Sequence, residues 1–286
     1  MNLYYKVVDD KYKTLKDCMK NYFFASDRFI CKLKREKRLQ VNQKEVYINY
    51  ELKLNDEVNI DIDFEEESDN IVSQKLKLNI LYEDDAILVL DKEKGMPIHP
   101  SHGHYEDSLA NGVKFYFEQN GLKRKIRPVN RLDKDTAGIV IFAKNDYIHE
   151  CFIKQMKTKE YVKKYIGLVQ GILEKKDGTI NASIIRKEGS IIEREINPEG
   201  EKAITHYKVL EEYDNFSLLE FILETGRTHQ IRVHCKYINH PLLGDTLYGQ
   251  VSEKYIGQAL IAKEIEFIHP LTRKKMKIVS KMHFQT

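Results

Sequence analysis

The chain is poor in cysteine, and its cysteines are far apart. Cys18, Cys31, Cys151 and Cys235 form no CxxC pair, which argues against a disulfide framework and against a structural zinc site. They read as reduced thiols, some of them buried. No apolar run approaches the roughly 18 residues of a membrane span, and Met1 to Lys20 mixes Asp and Lys with apolar residues in place of a signal core. A cytoplasmic protein without membrane contact is expected. Neither GxxxxGK[ST] nor GxGxxG occurs, so nucleoside triphosphates and dinucleotides are not expected ligands. Internal repeats, low-complexity tracts and coiled-coil patterns are also missing, and a monomer is expected.

Metal-ligand spacing is weak as well. His99, His102 and His104 cluster in a loop with Pro, Gly and Ser, with no acid or Cys at ligand spacing. His229 and His234 are five apart, a separation that does not share a helix face. No metal is expected.

What remains is a chain of 286 residues with 42% apolar content, enough for one large domain and one small one. The net charge of +3 hides an uneven distribution. Lys11 to Lys44 carries eleven Lys or Arg against three acids, and Glu45 to Asn70 carries ten acids against one Lys. Such polarity suits either a phosphate-binding face or a charged surface with no partner.

Residues 1–63 read as a small α/β module. Ser26 is a good N-cap for a helix through about Arg38, with Phe29, Ile30 and Leu33 on one face. Arg28, Lys32, Lys34, Arg35, Lys37 and Arg38 then crowd the other faces as candidate RNA contacts. Gln40-Val41-Asn42, Val46-Tyr47-Ile48 and Glu57 to Ile62 read as strands. The spacing of Ser26-Asp27-Arg28, the basic helix, Val41-Asn42 and Asn55-Asp56-Glu57-Val58 resembles the S-four-type (alpha-L) RNA-binding domain. Gln43 and Asn55 stand where that family usually has Gly, and Asn can still take the left-handed turn conformation. Residues 64–75, beginning with the acidic run Phe64 to Asn70, read as an interdomain linker.

From residue 76 to 286 strands and helices alternate. Strands are expected over Ala86–Leu90, Ile139–Ala143, Tyr165–Val169, Ser217–Leu223, Lys263–Ile268 and Lys275–Val279. Helices are expected over Ser108–Phe117, Ile148–Met156 and Thr228–Ile238. Strands outnumber helices and short turns are frequent. An α+β fold with a mixed, largely antiparallel central sheet flanked by helices is therefore favoured over a doubly wound parallel one.

The most telling segment is Arg131-Leu132-Asp133-Lys134-Asp135-Thr136-Ala137-Gly138, directly before the apolar strand. A carboxylate at the mouth of a buried strand is costly unless paired, and chemistry is a common reason to keep one there. Asp135 reads as a loop-capping residue. Two further segments, Lys163 to Gly171 and Thr225 to His234, add an aromatic hydroxyl at Tyr165 and an Arg beside Ile231.

These three segments resemble signatures of the RluA-type pseudouridine synthase family. His240 to Gly249, Phe267 to Pro270, Asp91-Lys92 and Gly95 to Pro100 add to the likeness, in order, over roughly residues 76–280. The resemblance implies a pseudouridine synthase fold and cofactor-free isomerisation of a uridine in RNA. It also implies an N-terminal RNA-binding domain. Asp133 matches the family's catalytic Asp, Arg232 the Arg that pairs with it, and Tyr165 the Tyr that stacks on uracil and can help remove its C5 proton. Ile231 matches an apolar residue packed on the base. Arg131 matches an Arg that displaces the base from its stack, which a buried C1′ requires. Lys163, Arg227 and His229 join them as substrate-binding candidates. Asn130, Ala137, Glu93 and Ile261 depart from the family's common residues, and none of them is a matched site residue.

Large-subunit ribosomal RNA is the substrate class the resemblance favours, with transfer RNA as the alternative. A catalytically silent RNA-binding or ribosome-assembly factor on this scaffold is opposed by the retention of Asp133, Tyr165 and Arg232. A glycoside hydrolase is opposed by the lack of a second placed carboxylate.

Overall fold

The computed structural model describes residues 1–284. Its N-terminal part runs β1 (Asn2–Lys6), α1 (Leu15–Asn21), α2 (Asp27–Arg35), β2 (Leu39–Val41), β3 (Lys44–Glu45) and β4 (Glu57–Asp61). The rest continues with β5 (Ile80–Glu83), β6 (Ile87–Lys92), α3 (Leu109–Gln119), β7 (Ala137–Ala143), α4 (Asp146–Gln155) and β8 (Val162–Gln170). Then follow β9 (Asp177–Asn181), β10 (Ile184–Arg186), β11 (Arg194–Ile196), β12 (Ile204–Glu212) and β13 (Phe216–Leu223). Last come α5 (Gln230–Tyr237), β14 (Leu260–Ile268) and β15 (Lys275–Val279).

A nine-stranded sheet has the order β5-β6-β7-β14-β8-β13-β12-β9, with β15 also on β14. Only β7 and β14 run parallel; the other pairs are antiparallel. This is the mixed, mainly antiparallel α+β fold expected. Strand β7 is buried at every position, which explains its uninterrupted apolar run. Alternate residues serve two cores, as strand geometry requires. Val140 and Phe142 pack under α3 with Leu109, Val113 and Phe117. Ile139, Ile141 and Ala143 pack on the opposite face with Ile148 and Phe152 of α4.

The N-terminal residues form their own sheet, β1-β4-β2-β3. Helix α2 starts where expected, because Ser26 Oγ accepts the Phe29 N–H at 3.1 Å. It ends at Arg35, short of Arg38. Expectation also fails at Val46–Ile48, which lies outside any strand. Asn42 and Gln43 take φ of 51° and 63°, a two-residue hairpin turn that pairs Gln40 with Glu45 and Val41 with Lys44. The Val46 N–H still donates to the Leu39 carbonyl at 3.0 Å before the chain leaves the sheet. Asn55 is also left-handed, with φ 71°, so the residues replacing Gly adopt the glycine conformation. Asn42 Nδ2 donates to the buried Asp56 carboxylate at 2.8 Å, and the Asn42 Oδ1 accepts the Glu57 N–H at 2.9 Å.

The segment expected to be an interdomain linker is irregular and docked. Phe64 is buried, with Lys32 Nζ 3.8 Å and the Arg38 guanidinium 4.4 Å from its ring centre. Glu66 pairs with Lys32 at 3.0 Å and with Arg127 at 2.7 Å. Ser68 Oγ accepts the Ile126 N–H at 2.9 Å. Phe29 of α2 lies against Tyr147 of α4 with ring centres 5.3 Å apart, and Tyr147 donates to the Phe23 carbonyl at 2.9 Å. One apolar cluster therefore runs from Leu3 and Leu33 through Ile139 to Phe267.

The remaining helices differ from expectation at their ends. Ser108 and Asn145 are N-caps, which moves one helix start forward by a residue and the other back by two. Helix α5 begins only at Gln230 because His229 is left-handed, with φ 59°.

Gly138 tests the β7–β14 contact. Its φ is +110°, and a Cβ there would lie 2.3 Å from the Ala262 carbonyl oxygen. Gly138→Ala is expected to cost about 3 kcal/mol or more, read as a shifted midpoint in urea unfolding. An unshifted midpoint would contradict this close approach.

Candidate active site

Asp133 sits in a loop fastened from several sides. Upstream, residues 127–130 lie antiparallel beside β7, with Val129 N–H donating to the Ile141 carbonyl at 2.7 Å. Asn130 adds two side-chain bonds to β7, to the Ile139 carbonyl at 2.9 Å and from the Ile141 N–H at 3.0 Å. The turn closes as Thr136 N–H donates to the Asp133 carbonyl at 3.1 Å. Gln258 Nε2 holds the Thr136 hydroxyl at 3.0 Å. Asp135 turns elsewhere and packs against Gly257.

Lys92 supplies the deepest anchor. Its side chain is 1% exposed and donates to the carbonyls of Glu93 (2.9 Å), Met96 (2.9 Å) and Lys134 (2.8 Å). Burial lowers its pKa to about 8, against the opposing pull of Asp135 and Asp133. The ammonium thus ties the loop after β6 to the residue next to Asp133.

Opposite stands α5. Gln230 orders its start: its amide oxygen accepts from the Thr225 hydroxyl at 2.8 Å and the Arg227 N–H at 3.0 Å. Its amide nitrogen donates to the Ile204 carbonyl at 3.0 Å. Two residues on, Arg232 projects to Asp133, with Nη1 3.1 Å from Oδ2. Its other nitrogens grip Asp245 in a bidentate pair, Nε to Oδ2 at 2.7 Å and Nη2 to Oδ1 at 2.8 Å. Asp245 is fully buried and also accepts the N–H groups of Leu247 and Tyr248 at 3.0 and 3.1 Å. Burial works against the Arg232 charge, but the Asp245 and Asp133 carboxylates outweigh it and raise its pKa. The Asp133 side chain keeps 30% of its exposure, so it reaches the pocket from a held position.

The pocket joins most of the expected site residues. Arg131, Asp133, Tyr165, Arg227, His229, Ile231 and Arg232 all line it, with Leu223 and Leu260 as apolar walls. Tyr165 is buried on β8; that burial and the Asp133 charge push its phenol well above the ordinary value. His229 Nε2 lies 3.7 Å from Asp133 Oδ2, and Nδ1 lies 2.9 Å from the Tyr248 hydroxyl. That hydroxyl accepts the Arg194 N–H at 2.7 Å. Arg227 is tethered away from Asp133 by Glu201 at 2.8 Å. Lys163 does not line the pocket. A Cβ on Gly226 would lie 3.1 Å from its ammonium, and burial lowers its pKa.

The α2 candidates divide. Arg28, Lys34, Arg35 and Lys37 are exposed. Lys32 is committed to Glu66 and Asp146, and Arg38 to Asp61 and the Asp63 carbonyl. Asp245, Tyr248, Lys92 and Gln230 lie inside the motif segments, where only their proximity to the matched residues marks them. Among the described residues, no three His, Cys, Asp or Glu side chains are placed to hold a metal ion, and no helix is long and apolar enough to cross a membrane.

The fold thus sets a carboxylate–guanidinium pair in a pocket of mixed charged and apolar lining. Residues 86–237 match the model of the RNA pseudouridylate synthase family. The chain is 38% identical over 239 residues to the Bacillus subtilis (strain 168) protein called Uncharacterized RNA pseudouridine synthase YjbO, covering 84% of each. It is 36% identical to Ribosomal large subunit pseudouridine synthase D of Blochmanniella floridana, covering 73% of this chain and 71% of that one. The solved structure of Human RNA Pseudouridylate Synthase Domain Containing 1 shares the fold, with TM-score 0.60 at 24% identity, over 72% of this chain and 84% of that one. The chain belongs to the RNA pseudouridine synthase family, and its activity is isomerisation of uridine in RNA.

Burial holds four histidines, His99, His149, His229 and His234, below their ordinary pKa. The unfolded chain therefore binds protons that the folded chain refuses. Stability should fall as pH drops below 6.5, the ordinary value. His234 is inaccessible, held by Thr205 and the Ala182 carbonyl at 2.9 and 3.0 Å. Melting curves at neutral and mildly acidic pH check this, and the drop should shrink in His234→Gln. A midpoint indifferent to mild acid would contradict it.

Proposed function

We propose that Asp133 is the catalytic carboxylate of this synthase and that its target uridine lies in large-subunit ribosomal RNA. The observation that carries the first part is the Asp245–Arg232–Asp133 chain. It presents one carboxylate to a pocket lined by Tyr165 and Ile231. The second part rests on relatives whose names contain Ribosomal large subunit pseudouridine synthase D.

In this reading the Asp133 carboxylate attacks, or stabilises positive charge at, C1′ of the flipped uridine as the N1–C1′ bond breaks. The freed uracil turns over between Tyr165 and Ile231. Its C5 then bonds C1′ as any Asp133–C1′ bond breaks and frees the carboxylate, the C5 proton leaves and N1 gains one, so the reaction is an isomerisation. With its phenol pKa raised, Tyr165 serves as a neutral stacking platform. Arg131, exposed at the pocket mouth, displaces the base from its stack. His229 and Arg227 border the substrate path. The N-terminal part is an S-four-type RNA-binding unit, supported by its exposed α2 cations and by the left-handed Gln43 and Asn55. Four unpaired cysteines support a reducing cytoplasm.

Transcripts of large-subunit ribosomal RNA carrying tritium at uridine C5 test this. The protein should release tritium, and Asp133→Asn should lower release by about a thousandfold or more, with RNA affinity changed only a few-fold. Arg232→Ala should slow turnover more than Asp135→Ala. Release that survived in Asp133→Asn would remove Asp133 from its role, and release only from transfer RNA would overturn the target.

A further inference from the structure

His229 precedes α5 in a left-handed conformation, φ 59°, and its side chain gives the helix no capping bond. Such a backbone is uncommon for a residue other than glycine and is concentrated at functional sites. The imidazole lines the pocket of Asp133, and Tyr248 decides which of its nitrogens carries the proton. The Tyr248 hydroxyl accepts the Arg194 N–H at 2.7 Å and lies 2.9 Å from His229 Nδ1. The phenol is itself fixed. Its backbone N–H donates to Asp245 at 3.1 Å, and the Arg232 guanidinium stands 5.0 Å from its ring centre. A hydroxyl has one proton to give, and Nδ1 is the acceptor beside it. Nδ1 therefore accepts, and Nε2 holds the ring proton. The opposite tautomer would leave the Tyr248 proton without an acceptor and turn the Nε2 lone pair toward the Asp133 carboxylate, 3.7 Å away.

That 3.7 Å is too long for a hydrogen bond, so Nε2–H has no hydrogen-bond partner among the described residues. Burial, the largest influence, lowers the His229 pKa with help from Arg232 and Arg194, against Asp133 and Asp245. The ring is thus an uncharged donor at neutral pH, 14% exposed and beside the carboxylate that Arg232 holds. Arg227 and Gln230, its neighbours in the lining, are already engaged within the protein. Uracil gives such a donor a task. As N1–C1′ breaks, the bonding pair passes to the base and spreads over N1 and the carbonyl oxygens. O2 is the acceptor flanking N1. Turning uracil about its C6–N3 axis exchanges N1 with C5 and O2 with O4. One fixed donor therefore meets O2 before the turn and O4 after it.

We propose that His229 is a catalytic hydrogen-bond donor whose Nε2–H holds uracil O2 while the glycosidic bond breaks and O4 while C5 bonds C1′. Tyr248 is the positioning residue that keeps the proton on Nε2. The proposal rests on the reading of Asp133 given above. No proton leaves His229, because a neutral imidazole is a far weaker acid than the N1–H of uracil. The bond stabilises the uracil anion, and the ring ends the cycle as it began. A fixed donor aimed at developing charge acts on the transition state more than on binding.

Asn and Gln separate the two ring nitrogens. An Asn amide reaches the Nδ1 position and tolerates the left-handed backbone, whereas a Gln amide reaches the Nε2 position. With the full chain and the tritiated large-subunit transcript, His229→Asn should lower kcat about a hundredfold and leave KM within about threefold. His229→Gln should be about tenfold faster than His229→Asn. Nitrogen-15 spectra of the histidine-labelled chain should show His229 as the Nε2–H form at neutral pH, and as a mixture with Nδ1–H in Tyr248→Phe. With 2-thiouridine at the position that the unaltered chain modifies, turnover should slow about tenfold in the unaltered chain and hardly at all in His229→Asn. Unfolding midpoints show that the variants fold. Full kcat in His229→Asn, a loss confined to KM, an Nδ1–H ring, or an equal sulfur effect in both chains overturns the proposal. So does sensitivity to 2′-deoxyuridine, in place of 2-thiouridine, that His229→Asn abolishes, which would assign the donor to the ribose. If the unaltered chain releases tritium, Asp133→Asn does not and His229→Asn does so at full rate, only the His229 role falls. If the unaltered chain releases none, the functional reading fails and the donor with it.

Discussion

The geometry of this protein turns on one guanidinium. Arg232 is buried between a carboxylate that never sees solvent and one that does. Asp245 takes two of its nitrogens and leaves Nη1 for Asp133. Bidentate pairing fixes the plane of the guanidinium, so the third bond has a set direction. A buried Arg with only the Asp133 contact would leave charge uncompensated. With Asp245 present, Asp133 can stay partly exposed and still be held. The Asp133 carboxylate is thereby positioned through Asp245, whose side chain is fully buried.

The same logic operates on the other side of Asp133. The loop has no regular hydrogen-bonding partner of its own, and its backbone groups need satisfaction. Lys92 supplies it from beneath, Asn130 stitches its approach to β7, and Gln258 holds Thr136. A lysine buried to 1% exposure would be anomalous as a surface group. With three carbonyls around its ammonium it is a structural cation, and the lowered pKa reflects the cost of keeping it dry.

Charge patterning marks a basic face and an acidic linker, and the fold sets the two against each other. Phe64 brings the acidic segment into the core between Lys32 and Arg38. Opposite charges that look like separate surface features in one dimension become one ion-pair seam in three. That seam removes two cations from the surface and leaves Arg28, Lys34, Arg35 and Lys37 outward. Local strand reading failed at Val46–Ile48 for a similar reason. The backbone of Asn42-Gln43 sets the hairpin register, and past Val46 the chain turns to the start of α1, where the Ile48 carbonyl accepts the Lys16 N–H at 3.0 Å.

By itself the sequence determined the α+β character, the buried strand after Asp133, the Ser26 cap and the residues that resemble the family's site. These depend on local chemistry: periodicity, capping and motif spacing. Tertiary structure alone decided that Asp245 and not solvent holds Arg232, that Lys163 stands outside the pocket, and that Lys92 supports the Asp133 loop. It also decided that the first sheet is packed against the second. Each of these joins residues far apart in the chain, often through a backbone carbonyl or a side chain from another element. A one-dimensional pattern carries no record of such neighbours, because their energy depends on distance and burial, which folding alone supplies.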